Sequence, residues 1–441
     1  MERQYKDSGI EWIGRIPVTW NLARLKDVKS NKPYAIVDGP FGSAISTNDY
    51  KDEGVPLVRI VNLTGKELDP NTTMFISSEL AESVQRSSFC LNDIIFAKTG
   101  ATVGKCSINT SIEYGILSSS CVKISIAKEF LFNYYYYFFS TYQFNLALRL
   151  ACGGSTRDTI NLEPFKNLPC LIPPLSEQQR IASYLDKKCG EIDELIALQE
   201  KMIAQLTEYK QAVITEAVTK GLDPNAKLVP SGIEWIGDVP EGWKVCKMKY
   251  LCNYIKDGTH FSPNTVAEGY PYITATDVRG VGIDYNNAKK VTKEVFIELQ
   301  KAGCQPHKGD ILLVKDGATT GRVGMMADDT ECVLLSSVAM LSTNNKTTNK
   351  YLMYILMSDL LQSQMKLSMA GAALPRITLI KLTNFISLYA PLPEQHSIAT
   401  YLDSKCSEID TLITLKRQKI ESLNAYKKSV IYEAVTGKTI I

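Results

Sequence analysis

The sequence predicts an α+β chain, a tandem pseudo-two-fold repeat of two mixed α/β domains separated by two long antiparallel coiled-coil helices. Three observations predict it. A seven-residue string occurs twice, each copy ends in a long stretch with heptad spacing, and the rest mixes strand-like and helix-like runs without regular βαβ alternation.

At 441 residues the chain is too long for one ordinary domain. Its 45% hydrophobic and 22% charged residues are those of a folded chain. A net charge of +2 leaves nucleic acid open as a partner, because a basic groove can be balanced by acidic surface elsewhere. The three histidines (His260, His307 and His396) lie far apart and the eleven cysteines form no CxxC pair, so no metal site is expected. Residues 1–7 are polar rather than a leader, and the most apolar run, 130–139, is too short to cross a bilayer. Scattered thiols then suggest a cytoplasmic protein with no membrane partner.

The repeat organises everything else. SGIEWIG stands at 8–14 and again at 231–237, with Pro17 and Trp20 returning as Pro240 and Trp243. DIIFAKTGATVGK at 93–105 returns as DILLVKDGATTGR at 310–322. PLSEQQRIASYLDKKCGEIDELI from Pro174 is echoed from Pro391, and the match continues to EAVT at Glu216 and Glu433. The copies meet at GLDPNAKLVPSG, 221–232, where glycine and proline stop a helix.

Each copy closes with an arm. Leu185, Cys189, Ile192, Ile196, Ile203, Leu206, Val213 and Ala217 alternate at four-and-three spacing, and Leu402, Cys406, Ile409, Ile413, Ile420, Leu423, Val430 and Ala434 repeat it. The seam is interrupted at Gln199 and Lys210, and at the same places by Lys416 and Lys427. Arms of ~40 residues would reach ~60 Å, and polar seam positions fix register at some cost in stability. Pro173, Pro174, Pro391 and Pro393 predict an extended approach to each arm, with Ser176 and Gln179 as a capping box on the first.

Within the bodies, strands are expected at 56–63, 271–278, 94–98 and 311–315, and helices at 129–151 and 349–369. The tyrosines at 134–137 read as a buried aromatic face. The glycine-rich loops imitate a phosphate loop but lack its first glycine and its Lys-Ser/Thr end, which excludes ATP binding there. What remains is a turn with cations at its ends. It either meets DNA phosphates or is a structural turn with solvated lysines.

The layout resembles the specificity subunit of type I restriction–modification enzymes. SGIEWIG…P…W, the strand with its KxGATxG loop, and PLxEQxxIAxYLDxKxxEID followed by the heptad helix carry the resemblance over nearly the whole chain. It implies target-recognition domains at 1–173 and 223–390 and coiled-coil arms at 174–222 and 391–441. Each recognition domain would read one half of an asymmetric bipartite site in double-stranded DNA. The arms would act as spacer and as docking surface for two methyltransferase subunits, which restriction/translocase subunits join. S-adenosylmethionine and ATP would belong to those partners, so no cofactor and no catalytic residue is expected in this chain. The candidate DNA contacts are Lys98, Thr99, Thr102 and Lys105 in the first glycine loop, and Lys315, Thr319, Thr320 and Arg322 in the second. Phe41, Ser43, Arg59 and Asn62, with Thr259, His260, Ser262, Thr274 and Asp277 in the other copy, could touch bases. Arg157 and Arg376 complete the set, and Glu191, Glu194, Glu408 and Lys419 are the candidate partner-binding residues on the arms' outer faces.

Two other classes stay open at this level: a single-chain DNA methyltransferase/nuclease, and a coiled-coil scaffold without DNA. Against the first, the sequence holds neither an Asn/Asp-Pro-Pro-aromatic methyltransferase motif nor a PD-(D/E)xK nuclease pattern.

Overall fold

The computed structural model describes residues 3–153, 158–369 and 375–441. The chain divides into two units, one formed by 1–199 with 418–441 and the other by 200–417. Each unit therefore holds one body, the first part of one arm and the last part of the other.

The first unit opens with a hairpin of Tyr5–Asp7 and Arg15–Pro17 around SGIEWIG. Two four-stranded sheets follow. One runs Ile36–Asp38, Cys121–Ile124, Ile94–Ala97, Cys106–Ile108, all antiparallel. The other runs Met74–Ile76, Val55–Val58, Tyr114–Leu117, Ser88–Cys90, with a parallel central pair. The second unit repeats the plan. Cys252–Asp257, Val338–Thr343, Ile311–Val314 and Val323–Met325 form its antiparallel sheet, and Lys289–Val291, Tyr270–Ile273 and Val333–Leu334 the mixed one.

The expected strands at 56–63 and 271–278 stop early, at Val58 and Ile273. Buried Asn62 accepts from the Arg59 backbone N–H at 2.8 Å, and buried Asp277 from that of Thr274 at 2.8 Å, turning the chain out of each sheet. The two expected body helices are each broken in two. Thr141 separates Phe132–Ser140 from Tyr142–Leu150 and caps the latter with its hydroxyl. Ser358 separates Asn349–Met357 from Asp359–Met369, its hydroxyl turned back onto the Ile355 carbonyl at 2.6 Å. Tyr134, Tyr135 and Tyr137 are buried in the first core, among Trp20, Phe96, Phe138, Phe139 and Phe144.

The arms are the helices Leu175–Lys220 and Leu392–Val435. Pro393 lies inside the first turn of its helix rather than before it, where a missing N–H loses no intrahelical partner. Ser176 likewise lies inside the first turn, so the predicted capping box gives way to a different device. The buried Gln178 side chain accepts from the Leu131 N–H at 2.9 Å and donates to the Pro173 carbonyl at 2.8 Å. Gln395 does the same in the second unit, accepting from Thr348 N–H and donating to the Ala390 and Lys346 carbonyls. Beside each glutamine a glutamate holds the opening segment: Trp20 Nε1 donates to Glu177 at 3.0 Å, and Trp243 Nε1 to Glu394 at 2.8 Å. About two turns further along, Asp186 accepts from the Tyr137 hydroxyl and pairs with Lys66, as Asp403 does with Tyr354 and Lys350. The repeated PLxEQ…YLD string is thus the clasp between each arm and its own body.

The seam residues predicted from heptad spacing are buried or half-buried. In the first unit Leu185 and Cys189 share a core with Val430, Ala434 and Val435; in the second, Val213 and Ala217 share one with Leu402 and Cys406. Two of the four seam interruptions find counterions. Lys427 pairs with Asp193 within the first unit at 2.7 Å, and Lys210 with Asp410 within the second at 2.7 Å. An offset of 217 residues turns either pair into the other, since Asp193 corresponds to Asp410 and Lys210 to Lys427. Such half-exposed pairs contribute roughly 0–1 kcal/mol, so their effect is on register more than on stability.

Gln395→Ala leaves the Thr348 N–H and two carbonyls without their buried partner. The expected cost is about 1–3 kcal/mol, read as a lower urea midpoint for the second unit with the first unchanged.

Candidate nucleic-acid interface

Three loops converge at one end of the strands of the antiparallel sheet in each unit. The glycine loop, 98–105, joins Ile94–Ala97 to Cys106–Ile108 as a hairpin, and 315–322 joins Ile311–Val314 to Val323–Met325. Gly100 and Gly104 have φ of 77° and 90°, and their counterparts Gly317 and Gly321 have 96°, conformations that side chains rarely adopt. Such a hairpin leads into no helix, so it lacks the helix N-terminus on which a phosphate loop depends.

The second loop follows Ile36–Asp38 in one unit and Cys252–Asp257 in the other. Its glycine passes so close to a neighbouring turn that a Cβ on Gly39 would stand 1.9 Å from the Ser118 carbonyl oxygen, and one on Gly258 2.0 Å from that of Leu334. The third, described at 158–160 in one unit and 375–377 in the other, braces the first: Gly100 N–H donates to Asp158 O and Ile160 N–H to Lys98 O, matched by Gly317 to Pro375 and Ile377 to Lys315.

An ion pair locks the loops together. Lys98 pairs with Asp38, and Lys315 with Asp257 at 3.3 Å and Asp316 at 3.1 Å. Lys315 is only 2% exposed, so it is a strut and not a phosphate contact. This corrects the expectation for Lys315 and narrows that for Lys98, which is half-buried. Lys105 and Arg322 are exposed, and among the described residues no carboxylate lies within ion-pairing distance of either.

The remaining candidates divide in the same way. Asn62 is buried and donates to Asp69 O, Thr72 Oγ1 and Thr73 Oγ1, so it is a brace and not a base reader. Asp277 is buried and bonded by Thr274 and Thr276, which removes it and Thr274 from the reading surface. Thr259 is buried too, its N–H on Leu334 O at 2.8 Å. Arg59 is half-buried, donating to Thr72 O at 3.0 Å beside the Tyr50 ring. Thr319 and Thr320 spend their hydroxyls on the Ala275 and Gly317 carbonyls, and Thr99 is half-buried. Phe41, Ser43, Thr102, His260 and Ser262 are exposed. Arg376 is exposed and reaches Asp316 at 3.4 Å. Arg157 lies outside the described residues, as do Ser155 and Thr156.

Sequence reasoning missed Arg86, an exposed cation 3.4 Å from Asp38, because 48 residues separate the two in the chain. Arg86, Lys98, Phe41 and Ser119 line one cleft of about 520 Å³. It also missed Glu177, Gln178, Glu394 and Gln395, although their recurrence beside recurring tryptophans was a usable signal. On the arms, Glu191, Glu194, Glu408 and Lys419 are all exposed. Only Glu191 and Glu408 occupy matching positions, each paired with a lysine three residues earlier; Thr411 stands opposite Glu194 and Met202 opposite Lys419.

Burial pushes the Cys106 thiol up to about 12 and Cys121 to about 11, so neither offers a thiolate near neutral pH. Among the described residues no group of His, Cys, Asp or Glu is placed to hold a metal, and no helix is long and apolar enough to cross a membrane.

A family model described as the type I restriction modification DNA specificity domain matches twice, over 17–208 and 240–425. The chain is 26% identical to the type I restriction enzyme MjaVIII specificity subunit of Methanocaldococcus jannaschii, over 96% of this chain and 94% of the relative. It is 24% identical to the EcoBI specificity subunit of Escherichia coli, over 90% and 83%. Its fold is similar to a chain in a structure describing complex assembly and conformational transition of the type I R-M system, with a TM-score of 0.69 at 17% identity, covering 96% of this chain and 99% of that one. The HsdS subunit of Thermoanaerobacter tengcongensis matches with a TM-score of 0.50 at 17% identity, covering 96% and 98%.

Exposed and structural cations separate in one experiment. Lys105→Ala and Arg322→Ala should each change stability by less than about 0.5 kcal/mol and lower the salt slope of DNA binding by about one unit. Lys315→Ala, which strands Asp257 and Asp316, should instead cost roughly 2–4 kcal/mol in a denaturant titration.

Proposed function

The chain belongs to the family of the type I restriction–modification DNA specificity domain, and from that premise we propose that it reads a bipartite DNA sequence, one half-site per recognition domain. It is a specificity subunit and not an enzyme. Methyl transfer and cleavage fall to partner chains, with S-adenosylmethionine and ATP.

The observation that carries the reading is the loop cluster. One backbone frame, locked by an Asp–Lys pair, recurs in both units, while the exposed tips differ: Phe41 and Ser43 in one, His260, Phe261 and Ser262 in the other. A shared frame with divergent tips suits two readers of different sequences, and Lys105 and Arg322 supply sequence-independent attraction to phosphates. The half-sites then differ, and the whole site is asymmetric.

Under this reading the recognition domains are 1–173 and 223–390. The arms, 174–222 and 391–441, run antiparallel as a coiled coil that spaces the two domains. The Asp193–Lys427 and Asp410–Lys210 pairs support that arrangement, since they are what a two-fold pairing of like helices produces. The matching Glu191 and Glu408 would receive two copies of a methyltransferase subunit, to which restriction/translocase subunits add. Glu194 and Lys419 have no such match and would lie at the margin of that contact. The setting would be the cytoplasm, where the DNA is.

The test exploits modularity. Replacing residues 24–172 with the first body of another family member should change only one half of the methylated sequence, mapped by sequencing modified DNA from a host carrying the partner subunits. A folded chimera that loses both halves would overturn independent reading.

A further inference from the structure

We propose that Phe41 and Phe261 are aromatic wedges, each entering duplex DNA between adjacent base pairs of its own half-site. The inference rests on the DNA reading above and adds how the sequence is sensed: through the ease with which one base step unstacks.

Phe41 is 88% exposed and Phe261 52%. Both sit in the loop that follows the Asp-Gly pair, three residues after Asp38 and four after Asp257. The loops differ in sequence and the two rings stand one position apart in it, yet each loop presents an exposed phenylalanine. Neither loop is loose. Gly39 and Gly258 are pressed against neighbouring carbonyls, the aspartates are pinned by Lys98 and Lys315, and the Ala44 N–H closes a turn onto the Phe41 carbonyl at 2.8 Å. In the second unit the Thr259 hydroxyl accepts from the Phe261 N–H at 3.3 Å. An ordered loop that holds an apolar ring in water is preorganised for an apolar partner.

The surroundings identify that partner. Phe41 shares its cleft with Arg86 and Lys98, and Phe261 follows His260, whose imidazole lies 3.5 Å from Asp257. Arg86 and Lys98 are both paired with Asp38 in that cleft, and Arg86 keeps an exposed guanidinium beside the ring; exposed polar groups around a projecting ring match a base step flanked by phosphates. Phenylalanine inserted between base pairs unstacks and kinks the duplex, most readily at flexible pyrimidine–purine steps. Each half-site should therefore contain such a step opposite the ring, chosen by deformability and not by hydrogen bonds.

The experiment uses the full chain assembled with its methyltransferase subunits on a plasmid carrying a site already mapped by methylation. Permanganate reports unstacked thymines and diethyl pyrocarbonate unstacked purines. The wild type should give one hyper-reactive step in each protected half-site. Phe41→Ala should abolish the first only and Phe261→Ala the second only. Affinity should fall about 10-fold in each case, with an unchanged salt slope because no cation is lost. Phe41→Leu should retain part of the signal. A protected wild-type site without hyper-reactive bases overturns the wedge, and so do alanine variants that leave pattern and affinity intact. Loss of a methyltransferase subunit from the Phe41→Ala complex, seen by mass, would assign the ring to a protein contact instead. If the wild type protects no sequence at all, the DNA reading itself fails, a result distinct from the others.

Discussion

The last turns of each arm finish a core that the other copy of the repeat began. Val430, Ala434 and Val435 are buried with Trp20, Tyr134 and Leu185 in the first unit, and the Tyr134 hydroxyl donates to the Val435 carbonyl at 2.9 Å. Val213, Ile214, Ala217 and Val218 fill the same role against Trp243, Tyr351 and Leu402 in the second. Neither body closes its apolar face alone. Removing large side chains from water is the main favourable term in folding, so this shared burial couples the folding of a body to the arm of its counterpart. The clasp of Glu177 and Gln178 fixes where the first arm leaves its body, and Glu394 and Gln395 do so for the second.

On that base the loop cluster can vary without risk to the fold. Much of its polar interior is satisfied within the loops, through the Asp–Lys pairs, the carbonyls facing Gly100 and Gly317, and the side-chain braces of Asn62 and Asp277, although the Thr99 hydroxyl is buried without a hydrogen-bond partner. The tips meet this frame at its margin, where the His260 imidazole lies 3.5 Å from Asp257 and Phe41 borders the cleft of Asp38 and Lys98. Residues at 41, 43, 260 and 262 can therefore change the surface offered to a ligand while the frame stays as it is. Divergent specificity on a duplicated scaffold follows from this separation of strut from tip.

The same separation decides what the sequence disclosed. The repeat, the arms and the boundary at 221–232 were legible because they depend on periodicity and on glycine and proline, which are local signals. Strand ends at Val58 and Ile273 were not, because the apolar pattern continues past the point where Asn62 or Asp277 turns the backbone. The broken helices were hidden for a similar reason: Thr141 and Ser358 sit inside continuous apolar patterns and act through single hydroxyls. Charge was the least legible property. Lys98, Lys105, Lys315 and Arg322 look alike in sequence, yet two are struts and two are free, and the difference lies in aspartates about 60 residues away in the chain. Asn62, Thr274 and Asp277 carry groups able to meet base edges, but their side chains close turns, a role that depends on backbone geometry.

The interdependence of copy and core is tested most directly by Val435→Asp, which puts a charge into the first unit's core from the far end of the chain. Hydrogen exchange should rise in Ile94–Ala97 and Cys121–Ile124 while Ile311–Val314 and Val338–Thr343 stay protected, and only the first unit's half-site should degenerate in the methylation map. Unchanged protection in the first unit, or equal loss in both, would contradict the account.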